Sequence, residues 1–335
     1  MARNSPQSMA MDLQAIQSAI VGGDRTAPTA DPDAMGGTFR GGVGDDVIHG
    51  GEFGDLIIGN ASPNTFIPDD DTLYGEAGWD TILGFAGDDQ LFGGEGDDQL
   101  YGGTGKDTLD GGNGDDTLLG EDGNDLIFGG DGDDAVGGGA GSDGIYGGAG
   151  DDKIWGDDRV YVTGPASLMH SDFIDGGEGN DQIWGGVGDD TAHGGDGSDR
   201  IWGINGNDLL HGNADNDTIK GGAGDDTVFG DAGNDILDGG DGYDQLQGGD
   251  GNDWLYGSYG LDVLSGGGGS DHFQPGLDGV ADIITDYSHT DGDTITGHHF
   301  AVSGSNTFVY APNNTLLFVL ANYDADAQDI QLIPV

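Results

Sequence analysis

Large aliphatic residues recur along this chain with a period of nine, each set between two outward-type residues and followed by glycines. From Gly75 to Trp155 the pattern runs through nine nonapeptides without a gap, and from Gly176 to Gln274 through eleven more. Units such as GGEGDDQLY (93–101), GGNGDDTLL (111–119), GGAGDDTVF (221–229) and GGDGNDWLY (248–256) share the consensus G-G-x-G-x-D-x-U-x, with U a large aliphatic residue. The eighth position is Ile, Leu or Val in eighteen of the twenty units, with Ala192 and Phe273 the exceptions. The sixth is Asp in all twenty, from Asp80 to Asp152 and from Asp181 to Asp271. One inward residue flanked by outward positions seven and nine is the period-two signature of a short strand. Glycine at positions one, two and four permits the tight turn and positive φ angles that must precede it.

Composition changes the picture. The 335 residues carry 63 acidic and 8 basic side chains, a net charge of −55; five of the acids are Glu (52, 76, 95, 121 and 178), so 58 are Asp. Nucleic acid requires a basic face to release counterions, and eight scattered cations supply none. An anionic membrane surface repels such a chain, and no apolar run approaches the ~18–20 residues of a spanning helix. With no cysteine there are no disulfides and no thiolate metal sites. At 34% hydrophobic residues and 73 glycines, the chain has the charge and hydropathy of a disordered polymer. Unaided it should not fold: either it stays disordered or something cationic is part of the structure, and turn carbonyls with carboxylates are hard oxygen donors suited to Ca²⁺.

The nonapeptide resembles the RTX, or haemolysin-type calcium-binding, repeat over about residues 41–274. The resemblance implies an all-β fold, a right-handed parallel β-roll. In it six residues of each repeat turn around Ca²⁺, three form a strand, and two repeats complete a coil. The implied metal ligands are Asp46, Asp55, Asp71, Asp80, Asp89, Asp98, Asp107, Asp116, Asp125, Asp134, Asp143 and Asp152. They continue after a break with Asp172, Asp181, Asp190, Asp199, Asp208, Asp217, Asp226, Asp235, Asp244, Asp253, Asp262 and Asp271. Residues n and n+18 share an edge of such a roll, and eighteen Asp pairs have that spacing, eight before the break and ten after it. About eighteen Ca²⁺ ions would bring the charge from −55 to −19. The aliphatic stack is too thin to offset the carboxylate repulsion without metal.

Two interruptions break the period. Asp55 and Asp71 are 16 apart, with Asn64 in an Asp slot, and Asp152 and Asp172 are 20 apart. Read as 18 − 2 and 18 + 2, each keeps a full coil with an altered turn, and Val160–Val162 forms the strand of the second irregular coil. Position-nine residues then alternate between two faces. One collects Tyr74, Phe92, Phe128, Tyr146, Trp184, Trp202 and Tyr256; the other collects Leu83, Tyr101, Leu119, Trp155 and Phe229 with Gly137, Asp175, His193 and His211. Such a density of outward aromatics is expected either as a contact surface or as cross-strand packing.

The ends differ from the middle. Residues 1–40 read as a linker with Pro6, Pro28 and Pro32, and Met9, Leu13, Ile16 and Ile20 form the apolar stripe of a short helix. Ser8 serves as its N-cap and Gly22-Gly23 as its stop; the stretch lacks the cationic start and continuous apolar core of a secretory leader. Residues 271–295 resemble the end cap that follows the roll in serralysin-type proteins. By that resemblance, residues 275–335 form a small β cap holding a type I secretion signal, with strand patterns at Thr307–Tyr310 and Thr315–Leu320.

Catalytic signatures are missing. No H-E-x-x-H, G-x-S-x-G or G-K-[ST] occurs, GAGSDG (139–144) is one nonapeptide among many, and paired carboxylates are everywhere. His49, His193, His211, His272 and His298 show no ligand spacing, and His298-His299 reads as surface. The expected protein is a non-catalytic, secreted calcium-binding roll with a structural, adhesive or matrix role. The alternative is an accessory module of a polysaccharide-modifying system resembling alginate epimerases. Expected partners are calcium, the type I secretion machinery, and either a second copy or an extracellular polysaccharide.

Overall fold

The computed structural model describes residues 36–59, 68–157, 170–276, 282–288 and 290–296, and the backbone of strands at 300–302, 307–310 and 316–320. Each nonapeptide becomes one strand and one turn, and successive strands alternate between two sheets, of 14 and 16 strands among the described residues. Neighbours within a sheet are parallel with an 18-residue register, as in Leu109↔Ile127 and Ile127↔Ile145. The result is the expected all-β parallel roll, of about thirteen coils, with no helix among the described residues. Its core is the single stack of eighth-position residues from Ile48 to Phe273, continued by Ile284. Ala192 and Phe273, the two departures from the aliphatic rule, are as fully buried as their neighbours.

Both interruptions are half-coils with an insertion, not full coils. Val47 pairs with Thr72 and Leu56 with Thr81, a step of 25. Gly144 pairs with Phe173 and Lys153 with Gln182, a step of 29. The register thus steps over seven extra residues at the first interruption and eleven at the second. Within the larger sheet Gly144–Ala149 pairs directly with Phe173–Glu178, so no full coil is kept there; the expected strand at Val160–Val162 lies outside the described residues. Asn64 and residues 158–169 themselves lie outside the described residues. A 16-residue coil would have to delete residues from a turn that uses all of its own. Extra residues at one turn leave both ladders intact, which is why insertion is the cheaper solution.

The half-coil step also exchanges the faces. Every repeat after residue 172 lies on the opposite sheet from the one expected. Trp184 and Trp202 therefore join Trp155 in one stack, with ring centroids 5.2 and 4.9 Å apart. His193, His211 and Phe229 follow Phe128 and Tyr146 on the other sheet, the two histidines stacked at 4.9 Å and His211 on Phe229 at 4.5 Å.

Parallel pairing continues past residue 274. Strands Asp282–Ile284, Thr294–Ile295 and Phe300–Val302 add to the two sheets. An antiparallel pair, Thr307–Tyr310 with Leu316–Leu320, then extends the larger sheet. The Met9–Ile20 stripe and His298-His299 lie outside the described residues.

Turn geometry singles out a few strained positions. Where position two is not glycine it still takes positive φ, including Phe85 at 80° and the β-branched Ile204 at 87°. That conformation costs an L-residue about 1–3 kcal/mol. Ile204→Gly should therefore raise stability by about 1 kcal/mol despite the entropy glycine adds to the unfolded chain, read as a higher Tm of the calcium-loaded protein. Gly112→Ala, at φ 107° and pressed against the Gly94 carbonyl, should lower it. An unchanged Tm in both would contradict the strain.

Candidate metal centre

The sixth-position Asp follows the turn glycines and precedes the strand, which places it on the edge of the roll with its side chain folded back under the turn. All twenty-four Asp residues expected as ligands are buried. Each of the eighteen pairs spaced by 18 is joined in one way: the backbone N–H of the earlier Asp donates to Oδ1 of the later. Asp98 N–H reaches Asp116 Oδ1 at 2.7 Å and Asp116 N–H reaches Asp134 Oδ1 at 2.8 Å. The ladders cross the interruptions, from Asp46 to Asp71 and Asp55 to Asp80, and from Asp143 to Asp172 and Asp152 to Asp181. Two continuous columns of carboxylates result, one on each edge.

The second carboxylate oxygen has no such partner. In 21 of these residues, from Asp71 to Asp262, Oδ2 is buried without any hydrogen-bond donor. It faces the first glycine of its own repeat and the carbonyl of the first glycine one coil onward. A Cβ on Gly111 would collide with Asp116 Oδ2 and the Gly129 carbonyl, and Gly75 sits likewise between Asp80 Oδ2 and the Gly93 carbonyl. Here glycine is required for close approach and not for its φ. Among the described residues no three His, Cys, Asp or Glu side chains converge. Each cradle instead combines a carboxylate oxygen with backbone carbonyls, an all-oxygen donor set with an uncompensated negative charge. A hard divalent cation fits it.

Burial, with neighbouring carboxylates adding to it and the backbone N–H bond opposing it, pushes these acids far above the usual carboxylate range. Asp71 lies at about 7, and Asp134, Asp172 and Asp217 at about 8. Without a cation, a folded roll must hold many of its carboxyls protonated near neutrality.

Sequence reasoning missed two members of the columns. Asp262 N–H donates to Asp282 Oδ1 and Asp271 N–H to Asp293 Oδ1, each at 3.0 Å. Their spacings of 20 and 22 hide them, but each begins a D-x-U triplet, Asp282-Ile283-Ile284 and Asp293-Thr294-Ile295. Both also end a column. Asp282 Oδ2 accepts Gly276 N–H at 2.8 Å and Asp293 Oδ2 accepts Ser288 N–H at 2.7 Å, so these termini satisfy themselves with backbone. At the other end Asp46 Oδ2 accepts Gly42 N–H at 2.6 Å. The fifth-position residues are not idle either: Asp115 Oδ1 accepts Asp133 N–H at 3.0 Å on the exposed side of the turn. Among the described residues the histidines take no part. His49 Nδ1 lies 2.9 Å from Glu76 Oε1, His211 Nδ1 lies 2.9 Å from Asp231 Oδ2, and His272 bonds Thr294 and Thr296.

The family profile for the RTX calcium-binding nonapeptide repeat matches residues 38–66, 68–91, 83–118, 101–136, 110–145, 129–158, 170–201, 202–237, 211–246 and 238–273. Among solved structures, the chain is similar to a hyperactive, Ca²⁺-dependent, β-helical antifreeze protein from an Antarctic bacterium. Identity is 17%, the match covers 84% of this chain and 86% of that one, and the TM-score is 0.41. No curated protein gives a significant match.

Two outcomes are expected from this geometry. Asp116→Ala removes the acceptor for the buried Asp98 N–H, a loss of about 1–3 kcal/mol, and a cradle oxygen besides; it should raise the calcium midpoint for folding well above that of Asp115→Ala. Equal midpoints would place the column elsewhere. The second concerns pH. Because the folded pKa values exceed the unfolded value of 3.8, the metal-free roll takes up protons on folding. Its stability is greatest near pH 4 and declines as pH rises through about 6 to 8. In chelator, strand content followed by circular dichroism should appear on acidification and vanish by neutrality; the opposite trend would refute the burial argument.

Proposed function

Because the chain belongs to the RTX calcium-binding nonapeptide repeat family, we propose that it is a secreted protein whose roll folds when Ca²⁺ fills the two Asp columns. The twenty-four sixth-position Asp residues hold the ions, with Asp282 and Asp293 closing the columns. The observation that carries this reading is the set of 21 buried Oδ2 atoms without a donor. Unpaired buried carboxylate oxygen is among the costliest features a fold can contain. Here it recurs at every coil of the interior, whereas at the column ends Asp46, Asp282 and Asp293 a backbone N–H takes the place beside Oδ2. A divalent ion beside each oxygen supplies the missing charge and uses the glycine carbonyls as further ligands.

Coupled folding accounts for export and final state together. Where calcium is scarce, carboxylate repulsion keeps the chain extended and able to thread a type I secretion channel. Outside, the ions lock it. The roll then serves as a non-catalytic, calcium-hardened extracellular module with a structural or adhesive role. The stacked outward aromatics favour a second reading, a module that holds a polysaccharide for another protein.

In excess chelator at neutral pH the full chain should be expanded, with a radius of gyration of roughly 65 Å, and millimolar Ca²⁺ should contract it to roughly 20–25 Å with the appearance of strand signal. Small-angle scattering with circular dichroism checks this. A compact, β-rich chain in excess chelator would sink the proposal.

A further inference from the structure

The acids of this protein crowd the two edges of the roll and leave one face clear. In the 14-stranded sheet, positions seven and nine hold no acid on any of the eight strands from Thr81–Ala86 to Thr218–Ala223. On this face lie three of the five cationic side chains among the described residues, Lys153, Arg200 and Lys220. The parallel register arranges them as a grid. Lys153 pairs with Gln182 and Gln182 with Arg200; one column over, Trp155 pairs with Trp184, Trp184 with Trp202 and Trp202 with Lys220.

Packing alone explains the tryptophans, which stack on one another, but not the cations. Lys220 bonds Asp238 at 3.0 Å. Lys153 and Arg200 are exposed and make no contact ion pair among the described residues, although Lys153 acts electrostatically on Asp151 and Asp152 at the edge beside it. What sets these two apart is their place, in one column of strands whose outward positions carry no acid. They stand two strand spacings apart, ~9–10 Å, close to the disaccharide length of an extended 1,4-linked glycan. Ammonium and guanidinium groups are strong partners for carboxylates. The half-buried indoles beside them give a broad amphipathic surface for sugar rings and hydroxyls.

We propose that this face, centred on Lys153, Arg200 and the Trp155–Trp184–Trp202 stack, binds an acidic polysaccharide laid along the roll axis. Its carboxylates, one disaccharide apart, meet the two cations. The inference rests on the calcium-folded roll of the preceding section, because unneutralised edges would repel any polyanion. Calcium in the columns screens the edges and leaves the face as the positive region.

The test uses the full chain in millimolar Ca²⁺, with carboxymethyl cellulose as probe because it carries carboxylates on a 1,4-linked backbone. Hydroxyethyl cellulose is the neutral control and polyglutamate the control for a plain polyanion. Circular dichroism reports the roll separately, so loss of folding is distinguished from loss of binding. Carboxymethyl cellulose should bind and shift tryptophan emission, and hydroxyethyl cellulose and polyglutamate should do so far less. Lys153→Gln/Arg200→Gln, with its strand signal retained, should weaken binding about tenfold or more, while Lys106→Gln on a turn edge should not. Affinity unchanged in the double variant, equal weakening by Lys106→Gln, or polyglutamate binding as tightly with the same emission shift would each overturn the proposal.

Discussion

Each sixth-position carboxylate serves two masters. Oδ1 accepts a backbone N–H from the coil before it, which satisfies a buried donor and fixes the register. Oδ2 is left facing glycine carbonyls with no donor. Everything else follows from that division. Glycine is needed at the first position because the carboxylate and a carbonyl occupy the space of a Cβ. A large negative charge is tolerated because it lies in two lines where divalent ions can neutralise it. On the proposed reading the core can be one residue thick because it need supply only part of the stability, the rest coming with the metal.

Much of this was legible before any coordinates, because the repeat is strict. The inward aliphatics, the Asp columns and the parallel sheets all read directly from the nine-residue period, and all eighteen spaced pairs proved to be hydrogen-bonded. What escaped reading had a common cause. Spacing arithmetic identifies a column only while the period holds, and a step of 16 or 20 residues is arithmetically closer to a full coil than to a half. The decisive constraint is physical: a half-coil plus a loop preserves every ladder bond, whereas a shortened coil breaks several. Asp282 and Asp293 were missed for the same reason, although their D-x-U triplets repeat the strand signal of the roll.

The half-coil step has consequences beyond topology. In a solenoid each coil contacts only its neighbours, so an insertion leaves local energetics almost untouched. It does, however, change the parity of every later repeat. With a full coil, Trp155 would face one side and Trp184 and Trp202 the other. With a half-coil, the three indoles fall into one stack, and Lys153 and Arg200 fall into the adjacent column of the same sheet. An eleven-residue insertion at one edge thereby composes a face from two halves of the chain.

Segregation of charge is the condition that lets such a face exist on so acidic a protein. Were the acids spread over all outward positions, no arrangement of eight cations could produce a region of the opposite sign. Concentrating them in the turns leaves eight strands of one sheet without an outward acid, so the edges suit metal and that stretch suits contact with another molecule. On the proposed reading, calcium would do more than complete the fold, since it would remove the long-range repulsion that keeps polyanions away and leave the local pattern of the sheet face to decide what binds.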